Sequence, residues 1–203
     1  NDISKDRLYT FGAGSRERRS AQSAMFTMAD GLTRLMAPVL PVTADELWRY
    51  VPGGREASVH MAHFPALVDL QRLENEALIE RWTRLTALRE RVLADIEPLR
   101  KDKVIGSSLQ ARVVLSGSPE ALAWLAPHAA PLPMLFIVSD VELRPSPADP
   151  SGDDTAAPGI AIERAEGVKC ERCWRYVREV SSDPAWAGLC GRCHDALAAH
   201  AHG

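Results

Sequence analysis

Four cysteines in two matched pairs constrain this chain more than any other feature of its sequence. Two residues separate Cys170 from Cys173 and Cys190 from Cys193, and sixteen residues lie between the two pairs. Each pair places two thiols on one tight turn, and the stretch between the pairs is long enough for a hairpin that brings the turns face to face. The spacing predicts a tetrahedral site for one Zn²⁺ with all four cysteines as ligands.

Two disulfides, or unrelated buried thiols, are the alternative interpretations of these cysteines. Disulfides need an oxidising compartment, and the sequence shows no secretory signal peptide. Unrelated thiols would not fall in matched pairs. Because four thiolates close the coordination shell of zinc, the predicted ion is structural and leaves no position for water or substrate. His194 follows Cys193 and is an alternative ligand, but four cysteines already suffice.

The charge of the chain is uneven. The net charge is −3, which does not indicate nucleic-acid binding, but local basic clusters matter more than the total for phosphate contact. Acidic neighbours such as Glu171 and Glu179 favour the alternative of a solvated surface. No apolar run reaches the roughly 18–20 residues that a membrane span needs. The basic residues are Lys5, Arg7, Arg16, Arg18 and Arg19 near the N-terminus, and Lys169, Arg172, Arg175, Arg178 and Arg192 around the cysteines.

Hydrophobic periodicity predicts a helical bundle over residues 1–105. Apolar residues at spacings of three and four predict a helix from Ser15 to about Leu35 and a long helix from about Leu73 to Asp102. Thr43 is predicted to begin a helix between them, with a capping box formed with Glu46. Pro98 lies inside the long helix and predicts a kink or an early end. The apolar face of the first helix comprises Ala21, Met25, Met28, Leu32 and Leu35.

A small α+β unit is predicted over residues 106–145. Leu109–Leu115 alternates like a strand, and Ser118-Pro119 begins a short helix that extends to about Ala126. Leu132–Ser139 is predicted as a second strand and Val141–Leu143 as a third.

The last part of the chain is predicted to be a linker and a zinc module. Residues 146–158 are rich in proline, aspartate and small residues, which is typical of linkers. Residues 159–203 hold the cysteines, and Gly159–Ala165 is predicted to lead into them as extended chain. The predicted fold class is multidomain and mainly α: a helical bundle, then a small α+β unit, then a zinc-ribbon-like module with four cysteine ligands.

Few residues outside the cysteines suggest chemistry. Trp174 and Trp186 can stack on unpaired bases, or they can pack a small core over the metal. Ser107-Ser108 after Gly106 suggests a phosphate-binding turn, but we favour a helix end that continues through a polar turn into a strand. No P-loop, GxGxxG motif or nucleophile elbow occurs, so the sequence predicts no catalytic residue.

Seven short motifs extend in a fixed order over nearly the whole chain. They are Lys5-Asp6-Arg7-Leu8-Tyr9, Arg18-Arg19-Ser20-Ala21-Gln22, Leu35-Met36-Ala37-Pro38-Val39-Leu40-Pro41 with Glu46-Leu47-Trp48, Ile105-Gly106-Ser107-Ser108-Leu109, Phe136-Ile137-Val138-Ser139, Lys169-Cys170-Glu171-Arg172-Cys173-Trp174 and Leu189-Cys190-Gly191-Arg192-Cys193. Together these motifs resemble the C-terminal part of bacterial-type isoleucyl-tRNA synthetases. Their order makes the resemblance specific, whereas the zinc ending alone is similar to that of formamidopyrimidine-type DNA glycosylases.

The resemblance implies an anticodon-binding domain, a junction and a zinc-bearing domain of a cytoplasmic, monomeric class I synthetase. Such enzymes attach isoleucine to its tRNA at the expense of ATP. The HIGH and KMSKS signatures of the catalytic domain do not occur here. We therefore expect this chain to be inactive alone, with isoleucine tRNA and the catalytic and editing domains of the same polypeptide as its partners. The positions that imply RNA contact are Arg18, Arg19, Gln22, Lys169, Arg172, Trp174 and Arg175.

Two other functions are weighed against tRNA recognition. The first is a structural C-terminal appendage that supports a catalytic body without reading bases, which the mild negative charge favours. The second is a zinc-finger DNA glycosylase, but that class needs an amino-terminal proline or lysine nucleophile, and Asn1 offers neither. Asn1 is not an initiator residue, which predicts that the sequence is a piece of a longer protein.

Overall fold

The computed structural model describes residues 2–146 and 157–201. Side chains are described within these two ranges as far as residue 199. The described chain is mainly helical, with one small sheet, one short hairpin and a cluster of four cysteines. No helix in these ranges is both long enough and apolar enough to cross a bilayer. The helices are α1 (Asp2–Tyr9), α2 (Arg16–Met36), α3 (Pro41–Trp48), α4 (Leu67–Gln71), α5 (Glu76–Lys101), α6 (Pro119–Ala123), α7 (Leu132–Phe136) and α8 (Gly191–Ala201), and the strands are β1 (Ala111–Gly117), β2 (Asp140–Pro145), β3 (Gly159–Arg164), β4 (Val168–Lys169) and β5 (Tyr176–Val177).

Packing divides the chain into two compact units. One unit joins Asn1–Gly12 to Arg81–Gly203, and the other is Ala13–Glu80. The domain boundaries predicted at residues 105, 145 and 158 rest on the pattern and composition of the sequence, and they stay predictions. Most of the predicted linker, residues 147–156, lies outside the described residues.

The unit of residues 13–80 has its own small core. The Oγ of Ser15 accepts a hydrogen bond from the amide of Arg18 at 3.2 Å and caps α2. Ala37 at the end of α2 packs with Ala44 and Trp48 of α3 and with Val59. Four of the five residues of the apolar face predicted for α2 are exposed: the exposed fractions of Met25, Met28, Leu32 and Leu35 are 41%, 57%, 56% and 50%.

The start of α3 differs from the prediction. Pro41 occupies the first turn and the cap residue Leu40 makes no side-chain hydrogen bond, so the capping box of Thr43 and Glu46 is wrong. The proline has its φ preset for a helix and lacks the amide that would need a partner there, which favours the earlier start.

Most of the long helix α5, from Arg81 onward, belongs to the same packing unit as the strands. The Oδ1 of Asn75 accepts from the amide of Leu78 at 2.9 Å, which caps the first turn. The helix does not end at Pro98 but continues to Lys101. Its apolar stripe joins the buried core that contains the central strand β1, which explains why packing separates this part of α5 from residues 13–80. The buried residues of the stripe are Leu85, Leu88, Val92 and Ile96.

The small sheet has the order β2-β1-β3. Strand β1 pairs with β2 in parallel and with β3 in antiparallel orientation. Ser118 caps α6 as predicted, because its Oγ accepts from the amide of Ala121 at 3.1 Å. The strand predicted over Leu132–Ser139 is wrong: this apolar run forms α7, which ends at Ile137 in the left-handed conformation (φ 59°). Short apolar runs do not distinguish a strand from a buried helix by periodicity, and Pro133 in the first turn favours the helix.

Candidate metal centre and nucleic-acid interface

The four cysteines converge on one point, although they come from two separate turns. The hairpin of β4 and β5 carries the first turn, which is closed by a hydrogen bond from the amide of Trp174 to the carbonyl of Cys170 (2.9 Å). Cys190 and Cys193 come from the first turn of α8 and its preceding residue. All four sulfur atoms lie within 4.8 Å of one another and all four residues are buried.

The donor set fits a zinc ion. Zinc bound by four thiolates at about 2.3 Å in a tetrahedron requires sulfur atoms about 3.8 Å apart. The Sγ atoms of Cys173 and Cys190 are 3.8 Å apart, and the Sγ of Cys170 accepts from the amide of Cys190 at 3.3 Å. Zinc at this site would cross-link the hairpin to α8, and four thiolates would leave no position open for water. The predicted structural role therefore agrees with the chemistry of the cluster.

Protons and metal compete for this cluster. The hydrogen bond with Cys193 is the main cause that lowers the pKa of Cys173, to about 4, and the same contact raises the pKa of Cys193. Burial raises the pKa of Cys190. Burial also acts to raise the pKa of Cys170, but hydrogen bonds from backbone amides outweigh it and lower that pKa overall. Because the pKa values of Cys190 and Cys193 are raised, these two thiols hold protons that zinc must displace, so metal affinity rises with pH.

An ionic clasp joins the zinc module to α1. We define the clasp as Asp6, Arg175 and Arg192. Arg192 donates two hydrogen bonds to the carboxylate of Asp6, at 2.8 and 2.9 Å, and Arg175 donates a third at 2.8 Å. Burial opposes ionisation of Asp6, yet the hydrogen bonds from Arg192 and Thr10 and the charge of Arg175 lower its pKa overall. The side chains of Asp6 and Arg175 are each 17% exposed, so this pairing is largely shielded from water.

Arg172 connects the same helix to the metal cluster. Its guanidinium donates to the carbonyls of Tyr9 (3.0 Å) and Thr10 (2.5 Å), and also to the Sγ of Cys193 at 3.6 Å. The last carbonyls of a helix have no partner within the helix, so Arg172 satisfies groups that α1 leaves open.

Trp174 is the exposed aromatic residue of the zinc knuckle. Its side chain is 59% exposed and its φ is 63°, a conformation that costs a bulky residue about 1–2 kcal/mol. The Nζ of Lys169 lies 5.5 Å from the centre of the Trp174 ring. Trp174 borders a cavity of about 540 Å³ that Arg172 and Arg175 also line, together with α1, including the exposed Tyr9. The knuckle therefore presents an aromatic face beside an accessible, mostly apolar space.

The predicted RNA-contact residues fall into two groups. Arg18, Arg19 and Gln22 lie on neighbouring positions of α2, where Arg19 and Gln22 are exposed and Arg18 is half-buried. Lys169, Arg172, Trp174 and Arg175 lie together at the knuckle, in the other packing unit. For all seven residues RNA contact stays a prediction.

His194 and Trp186 contact each other rather than the metal cluster. Their rings meet edge to face with centroids 5.0 Å apart, and the Nδ1 of His194 lies 3.1 Å from the carboxylate of Asp195. Within the described residues, the metal-ligand cluster contains only the four cysteines. Whether Trp186 packs over the metal or stacks on a base stays a prediction.

Sequence reasoning missed the clasp residue Asp6. It is separated from Arg175 by 169 positions and from Arg192 by 186, and no local pattern connects residues so far apart. The signal available was indirect: Asp6 lies in one of the motifs that carry the family resemblance, and Arg192 lies in another.

Two family models match the chain. One, described as the anticodon-binding domain of tRNA ligase, matches residues 1–115. The other, described as a zinc finger found in FPG and IleRS, matches residues 167–196 and so includes all four cysteines. The second match supports the assignment of one structural zinc ion to the cluster.

Curated relatives named isoleucine–tRNA ligase extend along nearly the whole chain. The protein from Geobacter sulfurreducens is 43% identical over 201 residues, which is 97% of this chain and 21% of the relative. Those from Desulforamulus reducens and Syntrophotalea carbinolica are 42% and 44% identical over 98% and 95% of this chain, and 22% and 21% of their own lengths. The chain spans about a fifth of the length of these relatives. With the first family model covering more than half of its residues, the chain belongs to the anticodon-binding domain family of tRNA ligases.

Proposed function

We propose that this chain is the tRNA-binding part of an isoleucine–tRNA ligase and that it recognises the anticodon region of isoleucine tRNA. The family match and the relatives' names support this proposal, and the exposed Trp174 beside its cavity is the structural observation that carries it. The helical part would be the anticodon-binding bundle of a class I synthetase, and the cysteine module a zinc ribbon. The remaining part of a monomeric, cytoplasmic enzyme would carry out the ATP-dependent attachment of isoleucine.

The proposed mechanism uses an unstacked anticodon base. Single-stranded loops are read by stacking their bases on aromatic side chains and by hydrogen bonds to the base edges. A base that stacks on Trp174 would lie over the cavity, where Arg172 and Arg175 line the wall. Lys169 lies against the same ring and is exposed, so it can hold the adjoining phosphate. Arg18, Arg19 and Gln22 would bind the RNA backbone along α2.

Replacement of Trp174 by alanine tests this mechanism. Base–aromatic stacking contributes about 1–3 kcal/mol per base, so we expect binding of an isoleucine tRNA transcript to weaken by roughly 5- to 150-fold. Trp174→Phe retains a ring and should recover most of the affinity. The measurement is filter binding by zinc-loaded protein, with zinc content checked for each variant. Equal affinities of Trp174→Ala and wild type at full zinc occupancy would contradict stacking at this site.

A scaffold role is the second candidate, and the clasp is the observation that favours it. Three arginines of the zinc module contact α1, so much of its positive charge is used inside the protein. In that case the module would hold neighbouring parts of the polypeptide without reading bases. Binding that is weakened neither by Trp174→Ala nor by a changed anticodon would support the scaffold role.

A further inference from the structure

We propose that the C-terminal end of α5 is an anion-binding site that takes phosphate groups of an RNA backbone. The source of the phosphate rests on the proposed function, but the site itself does not. Residues of the last turns of α5 and of the loop after it line a cavity of about 290 Å³. They are Glu97, Arg100, Lys101, Lys103, Ile105 and Gly106.

The lining carries an excess of positive charge. Arg100 donates to Glu97 at 3.1 Å, so this pair is already neutralised. Within the part of the chain that the structure describes, neither Lys101 nor Lys103 has a carboxylate partner, and both are exposed. Asp102 lies between them in sequence but does not line the cavity. The lining therefore contains three cationic side chains and one carboxylate, a net charge of two positive units. The C-terminal end of a helix contributes only about half a negative charge, so the site remains positive.

The backbone conformation of Lys103 is the second observation. Its φ is 58°, at the position after a helix where glycine is usual because other residues are strained there. The amides of Val104 and Ile105 both donate to the carbonyl of Leu99, at 2.9 and 3.2 Å, so the turn is a hydrogen-bonded helix end. Ile105 is 1% exposed and anchors the turn in the core. The protein thus holds a lysine in a strained position on a fixed turn, where a glycine would form the same cap.

Strain of this kind points to a function for the side chain. Cations near a helix C-terminus stabilise its dipole, but Arg100 and Lys101 in the last turn already supply that effect. Lys103 adds a compact ammonium group that carries three donors and suits a phosphate oxygen. Ser107 and Ser108 do not line the cavity, so the phosphate-binding turn considered from the sequence is not part of this site.

Two variants of the full zinc-loaded chain test the site. In Lys101→Gln/Lys103→Gln, the slope of log K against log salt for an isoleucine tRNA transcript should become shallower by about 1.4–1.8, because each phosphate contact contributes about 0.7–0.9. In Lys103→Gly, affinity should fall on the order of tenfold while the melting temperature rises by about 2–4 °C, since the strain is relieved. A lower affinity for tRNA together with a higher melting temperature would exclude misfolding as the cause of the lost affinity.

A second arm separates RNA from free phosphate as the source. Inorganic phosphate is titrated into the labelled protein, and the amide shifts of Lys103 and Gly106 are followed by NMR. If phosphate shifts these amides in the wild type but not in the double variant, and the salt slope for tRNA is unchanged, the anion-binding site exists and its ligand is free phosphate rather than RNA. Unchanged slopes together with no phosphate-dependent shifts would overturn the proposal. Arg144→Gln, an exposed arginine paired with Glu142 on β2, is the matched control and should change neither measurement.

Discussion

Replacement of Cys173 and Cys190 by serine is expected to abolish zinc binding and to unfold the module around residues 168–196. Structural zinc in small modules contributes an apparent 10–16 kcal/mol at neutral pH, far more than the few buried apolar side chains of this module can replace. Within the described part of the module, only Val177 and Leu189 pack against the cysteines as partly buried hydrophobics. Zinc content per chain should fall from about one to below a tenth.

Hydrogen exchange measures how far the loss of zinc extends. Because Arg172 and the clasp join the module to α1, amide exchange should accelerate in the last turn of α1 as well as in the hairpin. Amides of β1 should keep their protection, since Val113 and Leu115 lie in a separate core. Removal of zinc from the wild type by a chelator should give the same pattern. His194→Ala should retain full zinc, and a module that stays protected without metal would contradict this account.

Replacement of Asp6 by alanine is expected to give the second largest effect. It leaves Arg175 and Arg192 facing each other without the carboxylate that both contact. Removal of one partner of a buried pair costs about 3–5 kcal/mol, and the partial exposure of Arg192 (30%) places the expected loss near 3 kcal/mol or below. Zinc should then be released at a lower chelator concentration than from the wild type.

Asp2→Ala is the matched control for this experiment. Asp2 lies on the same helix, but its only ion pair in the described structure is with Lys5, and both side chains are more than 60% exposed. Exposed pairs of this kind contribute little. We therefore expect no change in chelator sensitivity or in exchange of the zinc module. Equal behaviour of the Asp6 and Asp2 variants would show that the clasp does not hold the module to α1.

The metal site could be predicted from the sequence because its information is local. Two residues between the cysteines of each pair are enough to place two thiols on one turn, and the four sulfurs converge as expected. The helices with marked periodicity, α2 and α5, were also predictable, as was the cap of α6 by Ser118. In each case a short segment contains the whole physical cause.

The failures have causes that a short segment does not contain. The run Leu132–Phe136 is apolar throughout, so its periodicity does not separate strand from helix, and its helical state follows from packing in the core. The sequence predicts an apolar face on α2 but not what covers it, and Met28 and Leu32 of this face are exposed in the described structure. The clasp of Asp6 depends on tertiary contacts alone.

The most direct test of the central claim compares two RNAs. Filter binding measures the affinity of the zinc-loaded chain for an isoleucine tRNA transcript and for the same transcript with its anticodon replaced. If the chain reads the anticodon, the replaced transcript should bind more weakly by at least the roughly 5-fold that the loss of one stacked base implies, at the same salt concentration. Equal affinity for both transcripts would contradict base reading and would leave phosphate contacts or scaffolding as the role of this chain.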